Sequence, residues 1–220
     1  MNYVGLCQQE TVIVCFGNST TAVRKGVKKV YAERLHEKLE SIHIKNLVIN
    51  SGIGSSHTGS INDNSFAKVV HGRDRFDTAV IRYHPNWVTI NFGLNDAYQD
   101  KGIGTSSRIP INKFKKNIKY FIKHIKKQGS QIILLTPNPQ TSTYDEFRRQ
   151  QVKIYAKSVK KIARQKKTFF IDTWQLFYNW GKNKSDGIDS LFLDKVHPND
   201  KGHELIAEEI FKIIKLHTVQ

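Results

Sequence analysis

The 220-residue sequence is poor in cysteine, short of acidic residues and without a long apolar run. Its two cysteines, Cys7 and Cys15, do not form a disulfide framework, and no cysteine spacing suited to a metal occurs. Cys15 falls inside an apolar segment and reads as a small buried hydrophobe. No stretch approaches the roughly 20 consecutive apolar residues of a membrane-spanning helix. Ahead of Thr11 there is no basic segment followed by an apolar run, so the chain as written shows no signal peptide. The large Leu6 before Cys7 argues against a lipoprotein cleavage site. Localisation stays open: cytoplasmic as written, periplasmic or secreted if a leader has been removed. No internal repeat, low-complexity tract or linker marks a second domain, and residues 1–220 read as one domain. Its apolar content of 39% is enough for a sizeable core.

Basic residues are plentiful. Lys and Arg number 35 against 19 Asp and Glu, a formal charge of +16. A field of that sign favours polyanions. The excess gathers in two segments, Lys113 to Lys127 and Arg148 to Lys167. Each carries apolar residues at helical spacing: Phe114, Ile118, Phe121, Ile122 and Ile125 in the first, Val152, Tyr155, Ala156, Val159 and Ile162 in the second. The lysines then occupy the opposite, solvated faces. No nucleic-acid motif or basic–aromatic interleaving accompanies them, so nucleic acid is not expected as the partner.

Five apolar runs read as strands: Thr11–Phe16, Asn46–Asn50, Trp87–Phe92, Gln131–Leu135 and Thr168–Ile171. Helical periodicity covers Val27–Leu39, Ser65–Tyr83, Ile111–Lys127, Tyr144–Lys166 and Asn199–Leu216. Alternation of near-continuous apolar strands with helices predicts a parallel sheet covered on both faces, a three-layer, doubly wound α/β fold. The polar segments Asp96–Pro110 and Trp180–Leu191 read as loops framing a surface site.

Chemistry-bearing residues stand where these strands end. The first strand runs into Gly17-Asn18-Ser19-Thr20, suited to a turn and a helix N-cap. The second runs into Asn50-Ser51-Gly52-Ile53-Gly54 and the third into Gly93-Leu94-Asn95-Asp96. All three lie at the carboxyl edge of the sheet, where open α/β sheets bind ligands. Asp194-Lys195-Val196-His197-Pro198-Asn199 precedes the last helix. Together these residues can perform acyl transfer. Ser19 is the candidate nucleophile, His197 the base that takes its proton, and Asp194 the acid that fixes the imidazole. The N–H of Ser19, the N–H of Gly52 and the Asn95 amide can meet an oxyanion, with glycine at 52 admitting close approach.

These residues also admit other readings. Gly52 and Gly54 alone can make a turn, and Asn95 with Asp96 an Asx turn. Asp194, His197, Asp200 and His203 mimic a metal ladder. The first pair, however, sits in a loop and the second on a helix behind Pro198 and an Asn199 cap, so no metal site is expected. Asp172 reads as a helix N-cap together with Thr173. Arg108 is a candidate substrate contact.

Gly17-x-Ser19, Gly52, Gly93-x-Asn95-Asp96 and Asp194-x-x-His197 resemble, in order and spacing, the four signature blocks of the SGNH (GDSL-type) hydrolases. The resemblance runs from Phe16 to His203. It implies a flavodoxin-like five-stranded parallel sheet and a serine esterase needing no cofactor, with Ser19, His197 and Asp194 as the triad. It also implies Ser19, Gly52 and Asn95 as oxyanion donors. Asn18 stands where the family usually has Asp, and Ala22 where many relatives have a small turn residue. The asparagine can make similar local hydrogen bonds through its carbonyl oxygen.

The middle of the chain is most similar to members that deacetylate carbohydrates. The expected reaction is hydrolysis of a short-chain ester, an O-acetylated sugar or polysaccharide, and the positive charge points to an acidic one. A lysophospholipase or acyl-thioesterase is the alternative within the same chemistry. A non-catalytic polyanion-binding protein is the alternative outside it. Oligomeric state does not follow from these residues.

Overall fold

A computed structural model describes residues 10–218; Cys7 lies outside them. Five parallel strands form one sheet: β1 (Thr11–Gly17), β2 (Asn46–Gly52), β3 (Trp87–Asn91), β4 (Gln131–Leu135) and β5 (Phe169–Ile171), in the order β2-β1-β3-β4-β5. Six helices connect and cover it: α1 (Tyr31–Glu40), α2 (Gly72–Ala79), α3 (Ile111–Lys127), α4 (Glu146–Lys166), α5 (Thr173–Gly181) and α6 (Asp200–Thr218). The doubly wound α/β arrangement expected from the alternation is the one observed.

Side-chain alternation along the strands builds two cores. Val14 and Phe16 of β1 and Ile132 and Leu134 of β4 pack with Phe76 of α2, Phe121 of α3 and Val159 of α4. Ile13, Cys15, Ile133 and Leu135 face the other way, onto Leu35 of α1, Phe177 of α5 and Ile206 of α6. A strand buried on both faces has no polar side to show, hence the unbroken apolar runs. The stripes on α3 and α4 are buried as their spacing predicted, Phe114 to Ile125 and Val152 to Ile162.

Two elements differ from expectation. The helix read over Ser65–Tyr83 begins only at Gly72 and gives way to a 3-10 turn at Ile81–Tyr83. The N–H groups of Gly72 and Arg73 donate to the carbonyls of His57 and Gly59, at 2.8 and 2.9 Å. The helix start is thus tied to the loop after β2, and residues 65–70 remain part of that loop. Conversely, α5 occupies sequence whose aromatic residues do not make a clean stripe. Of Trp174, Phe177, Tyr178 and Trp180 only Phe177 is fully buried. Its cap was legible: the Asp172 carboxylate accepts from Gln175 N–H and also pairs with Lys160.

β1 leads to β2 on one side and pairs with β3 on the other, so the strand order reverses at its carboxyl end. A doubly wound sheet opens a crevice at such a point. Gly17 lies level with Gly52 and Asn91 there.

Candidate active site

The polypeptide leaves β1 in a single tight turn rather than the helix N-terminus expected after Ser19. The Asn18 carbonyl accepts from the N–H groups of Thr21 and Ala22, both at 3.0 Å, and α1 starts nine residues beyond Ala22, at Tyr31. Asn18 is fully buried, and its side-chain oxygen accepts from Thr20 N–H at 3.0 Å. Ser19 projects at the crest of this turn.

A second loop supplies its partners. Between a 3-10 turn at Asp189–Leu191 and α6, the backbone folds back on itself. Leu193 N–H donates to the His197 carbonyl at 2.9 Å, and Asn199 N–H to the Leu191 carbonyl at 2.8 Å. The Asn199 side chain accepts from the N–H groups of Lys201 and Gly202, capping α6. Within this loop the Asp194 carboxylate accepts from the N–H groups of Val196 and His197, each at 2.7 Å. His197 Nδ1 lies 2.8 Å from Asp194 Oδ2, and His197 Nε2 lies 3.0 Å from Ser19 Oγ. Ser19, His197 and Asp194 are therefore brought together in one hydrogen-bonded line.

Asn138, after β4, joins the two loops. It accepts from the Thr20 hydroxyl at 3.1 Å and donates to the Val196 carbonyl at 2.8 Å. The serine turn and the histidine loop thus share one buried amide.

Electrostatics match the geometry. Burial lowers the His197 imidazole below its ordinary value, the Asp194 carboxylate pulls it back up, and Arg24 nearby lowers it again. Burial alone would raise the Asp194 carboxyl, but the N–H donors of His197 and Val196 and the imidazole hold it below the usual range. The histidine is then neutral and the aspartate ionised at pH 7, which a serine–histidine–aspartate relay needs.

Asn95 follows β3 and lines a cleft of about 240 Å³ together with Ser19, His197, Gly54, Ser55 and Leu94. One of its amide N–H groups donates to the Ser56 carbonyl at 3.0 Å. Asp96 braces it from behind. This fully buried carboxylate accepts from Thr58 N–H at 2.9 Å, from the Thr58 hydroxyl and from Gly93 N–H at 3.1 Å. Burial raises its pKa to about 6 against those donors.

Gly52 is not brought to the cleft. Its N–H donates to Asn50 Oδ1 at 2.9 Å, and a Cβ there would stand 2.2 Å from Ala22 N. The glycine lets β2 pass the serine turn closely. The residues of this loop that do reach the cleft are Gly54 and Ser55, and Ser55 holds a left-handed φ of 60°. Sequence reasoning passed over Ser55 because nothing in its side chain marks it. A non-glycine residue held in that region beside the candidate nucleophile is a feature only the backbone reveals.

Arg108 also lies elsewhere. Its guanidinium is buried in an ion pair with Asp100 at 2.7 Å and stacks over Tyr98 and Phe66. It holds the Asp96–Pro110 loop together instead of facing the cleft. Asp200 accepts from the N–H groups of Lys28 and Lys29 and pairs with Arg34. The fully buried His203 accepts from Tyr31 N–H at 3.2 Å. Asp194 and His197 bond each other while Asp200 and His203 are engaged elsewhere, and no grouping of three possible ligands occurs among the described residues. Arg75, unremarked in the sequence, donates to the carbonyls of Gly17 and Ser51, both at 2.7 Å, and ties the ends of β1 and β2.

A family model described as GDSL-like lipase/acylhydrolase matches residues 15–205. The chain belongs to that family. Among curated relatives, an acetylxylan esterase of Geobacillus stearothermophilus is 26% identical over 142 residues, 64% of each chain. An uncharacterized lipoprotein, YqeF of Bacillus subtilis, is 31% identical over 132 residues, 58% of this chain and 48% of its own. The chain therefore spans less than two thirds of the length of either. Among solved structures, the lipase/acylhydrolase from Enterococcus faecalis superposes with a TM-score of 0.74 at 25% identity, covering 94% of this chain and 96% of that one. A catalytic mutant of the Geobacillus acetylxylan esterase Axe2 superposes with a TM-score of 0.73 at 21% identity over the same shares, a likeness of fold.

Proposed function

We propose that this member of the family is a serine esterase that removes acetyl groups from carbohydrate. The observation that carries the reading is the hydrogen-bonded line from Ser19 Oγ through His197 to Asp194, at 3.0 and 2.8 Å. In this mechanism Ser19 Oγ attacks the ester carbonyl while His197 Nε2 takes its proton. The tetrahedral oxyanion is met by backbone N–H groups at Ser19 and Ser55 and by the Asn95 amide. Nothing accepts from the Ser19 or Ser55 N–H among the described residues, so both are available to a developing negative charge. His197 then protonates the departing alcohol, and a water activated by the same imidazole releases acetate from Ser19.

Acetyl as the acyl group is supported by the size of the cleft and by the curated name of the Geobacillus relative. The test compares wild type with Ser19→Ala on p-nitrophenyl acetate, p-nitrophenyl octanoate and an acetylated xylo-oligosaccharide. The expected result is turnover of the acetyl esters, a fall of several orders of magnitude in the variant, and a lower rate on octanoate. A rate that climbs with acyl length would replace the deacetylase with a lysophospholipase or thioesterase. Equal inertness of both proteins would overturn the esterase itself.

A further inference from the structure

Two arginines line the cleft beside Ser19, Arg24 and Arg148, together with Tyr98, Tyr144, Gln140, Leu94 and Val152. Neither guanidinium has the partner its neighbours have. Arg149, next on α4, pairs with Glu146 and also donates to the Ser142 carbonyl at 3.1 Å. Arg108 has Asp100. Arg148 has no carboxylate partner among the described residues; its guanidinium lies 4.0 Å from the centre of the Tyr98 ring. Arg24 reaches only Asp194 Oδ2, at 3.7 Å, an oxygen already committed to His197 at 2.8 Å. Its Nε is buried and has no acceptor.

A buried N–H donor without an acceptor is costly. Arg24 carries such a donor and Arg148 lines the same cleft without a carboxylate partner, so the pair forms a fork for an anionic group. Arg24 stands on the His197 side, the side from which the leaving alcohol receives its proton. We infer that Arg24 and Arg148 bind a carboxylate on the alcohol portion of the ester, so that the substrate class is an acetylated acidic sugar such as a uronic acid. This rests on the esterase reading for its chemistry, though not for its binding contact.

The test uses matched pairs: an acetylated methyl glucuronoside, its neutral glucoside counterpart, and the 6-sulfated glucoside ester. The expected kcat/KM ratio of uronate to neutral ester is roughly ten- to a hundredfold, the range of one or two charge-assisted hydrogen bonds. It falls towards one in Arg148→Gln and in Arg24→Gln, and Arg148→Lys recovers part of it. A wild-type ratio near one overturns the inference. So does a high ratio that neither Gln variant changes, which would reflect the overall field. Preference for the sulfated ester overturns the carboxylate assignment.

Calorimetric binding of methyl glucuronoside and methyl glucoside to Ser19→Ala separates the two claims, since it needs no turnover. Tighter uronate binding that is lost on adding Arg148→Gln supports the fork even if p-nitrophenyl acetate is untouched by the wild type. Equal or undetectable binding of both sugars, with p-nitrophenyl acetate hydrolysed, sinks the fork and leaves the esterase standing.

Discussion

The Asn138 side chain accepts from the Thr20 hydroxyl at 3.1 Å, one residue after the serine, while its amide donates to the Val196 carbonyl, one residue before the histidine. The spacing of Ser19 and His197 is therefore set by a residue that touches neither. Asn138→Ala leaves two loops without their common tie and a buried hydroxyl without its acceptor. We expect a loss of about 1–3 kcal/mol in stability. We also expect kcat to fall about 10- to 100-fold with KM little changed, as misplacement of reacting groups causes. Urea unfolding and steady-state kinetics on p-nitrophenyl acetate measure the two separately; a normal kcat would show that the loops hold their positions unaided.

In the proposed mechanism His197 must be neutral to take the serine proton. Because burial and Arg24 both lower its pKa, the acid limb of kcat/KM should have its midpoint below the ordinary histidine value of about 6.5. Arg24→Gln removes one of those two influences, so its midpoint should move up. A pH–rate profile of wild type and variant on a neutral ester reads this directly. An unmoved midpoint would mean that the charge of Arg24 is screened at the imidazole.

Stability should fall in mild acid. His57 and His203 are buried, and burial lowers their pKa values to about 4 and about 3; His71, stacked on His57 with ring centres 3.5 Å apart, is lowered too. Unfolded histidines titrate near 6.5. Between that value and the folded ones the unfolded state binds more protons, so the contribution is complete above pH 6.5 and is lost as pH falls. Asp96 acts oppositely: raised to about 6, it favours the folded state more as pH falls through that value. With His197 lowered as well, four histidines against one aspartate leave a net loss, on the order of 1–2 kcal/mol each for His57 and His203 by pH 5. Thermal unfolding at pH 7 and pH 5 checks the sign. His57→Gln, less stable at pH 7, should lose less over the same interval.

Gly52 and Gly54 should answer differently to alanine. At Gly52 a Cβ meets Ala22 N at 2.2 Å and Thr21 C at 2.5 Å, both backbone, whereas at Gly54 nothing lies within 4 Å. Gly52→Ala must push the serine turn away from β2, costing about 1–3 kcal/mol and lowering kcat. Gly54→Ala should leave the urea midpoint in place. Equal midpoints for the two variants would refute the packing role of Gly52.

Much of this fold and site is legible in the sequence. β1, β3 and β4 showed themselves because both of their faces are buried, whereas β2 and β5 are only partly buried and were read from short apolar runs. Asp194 and His197 were legible because three residues in one loop suffice to place them, and Ser19 and Asn95 because each stands in the turn that follows a strand. Less legible was whatever depends on pairing between distant segments. Asp96 reaches Thr58 across 38 residues, and Arg75 reaches Gly17 across 58. No local pattern announces either contact. Gly52 and Arg108 show the same limit from the other side. Their residue types suit a site, but an Asn50 side chain and an Asp100 carboxylate occupy them. Ser55 went unread because its contribution is a backbone conformation.

Ser19 and His197 lie 178 residues apart along the chain, yet 3.0 Å apart in space. All five strands are complete by Ile171, more than twenty residues before Asp194. A chain that has formed its sheet but not docked its C-terminal loop and α6 holds a serine without a base. The onset of ester turnover during refolding would therefore mark closure of this long loop between Ser19 and His197, later than any spectroscopic signal from the sheet.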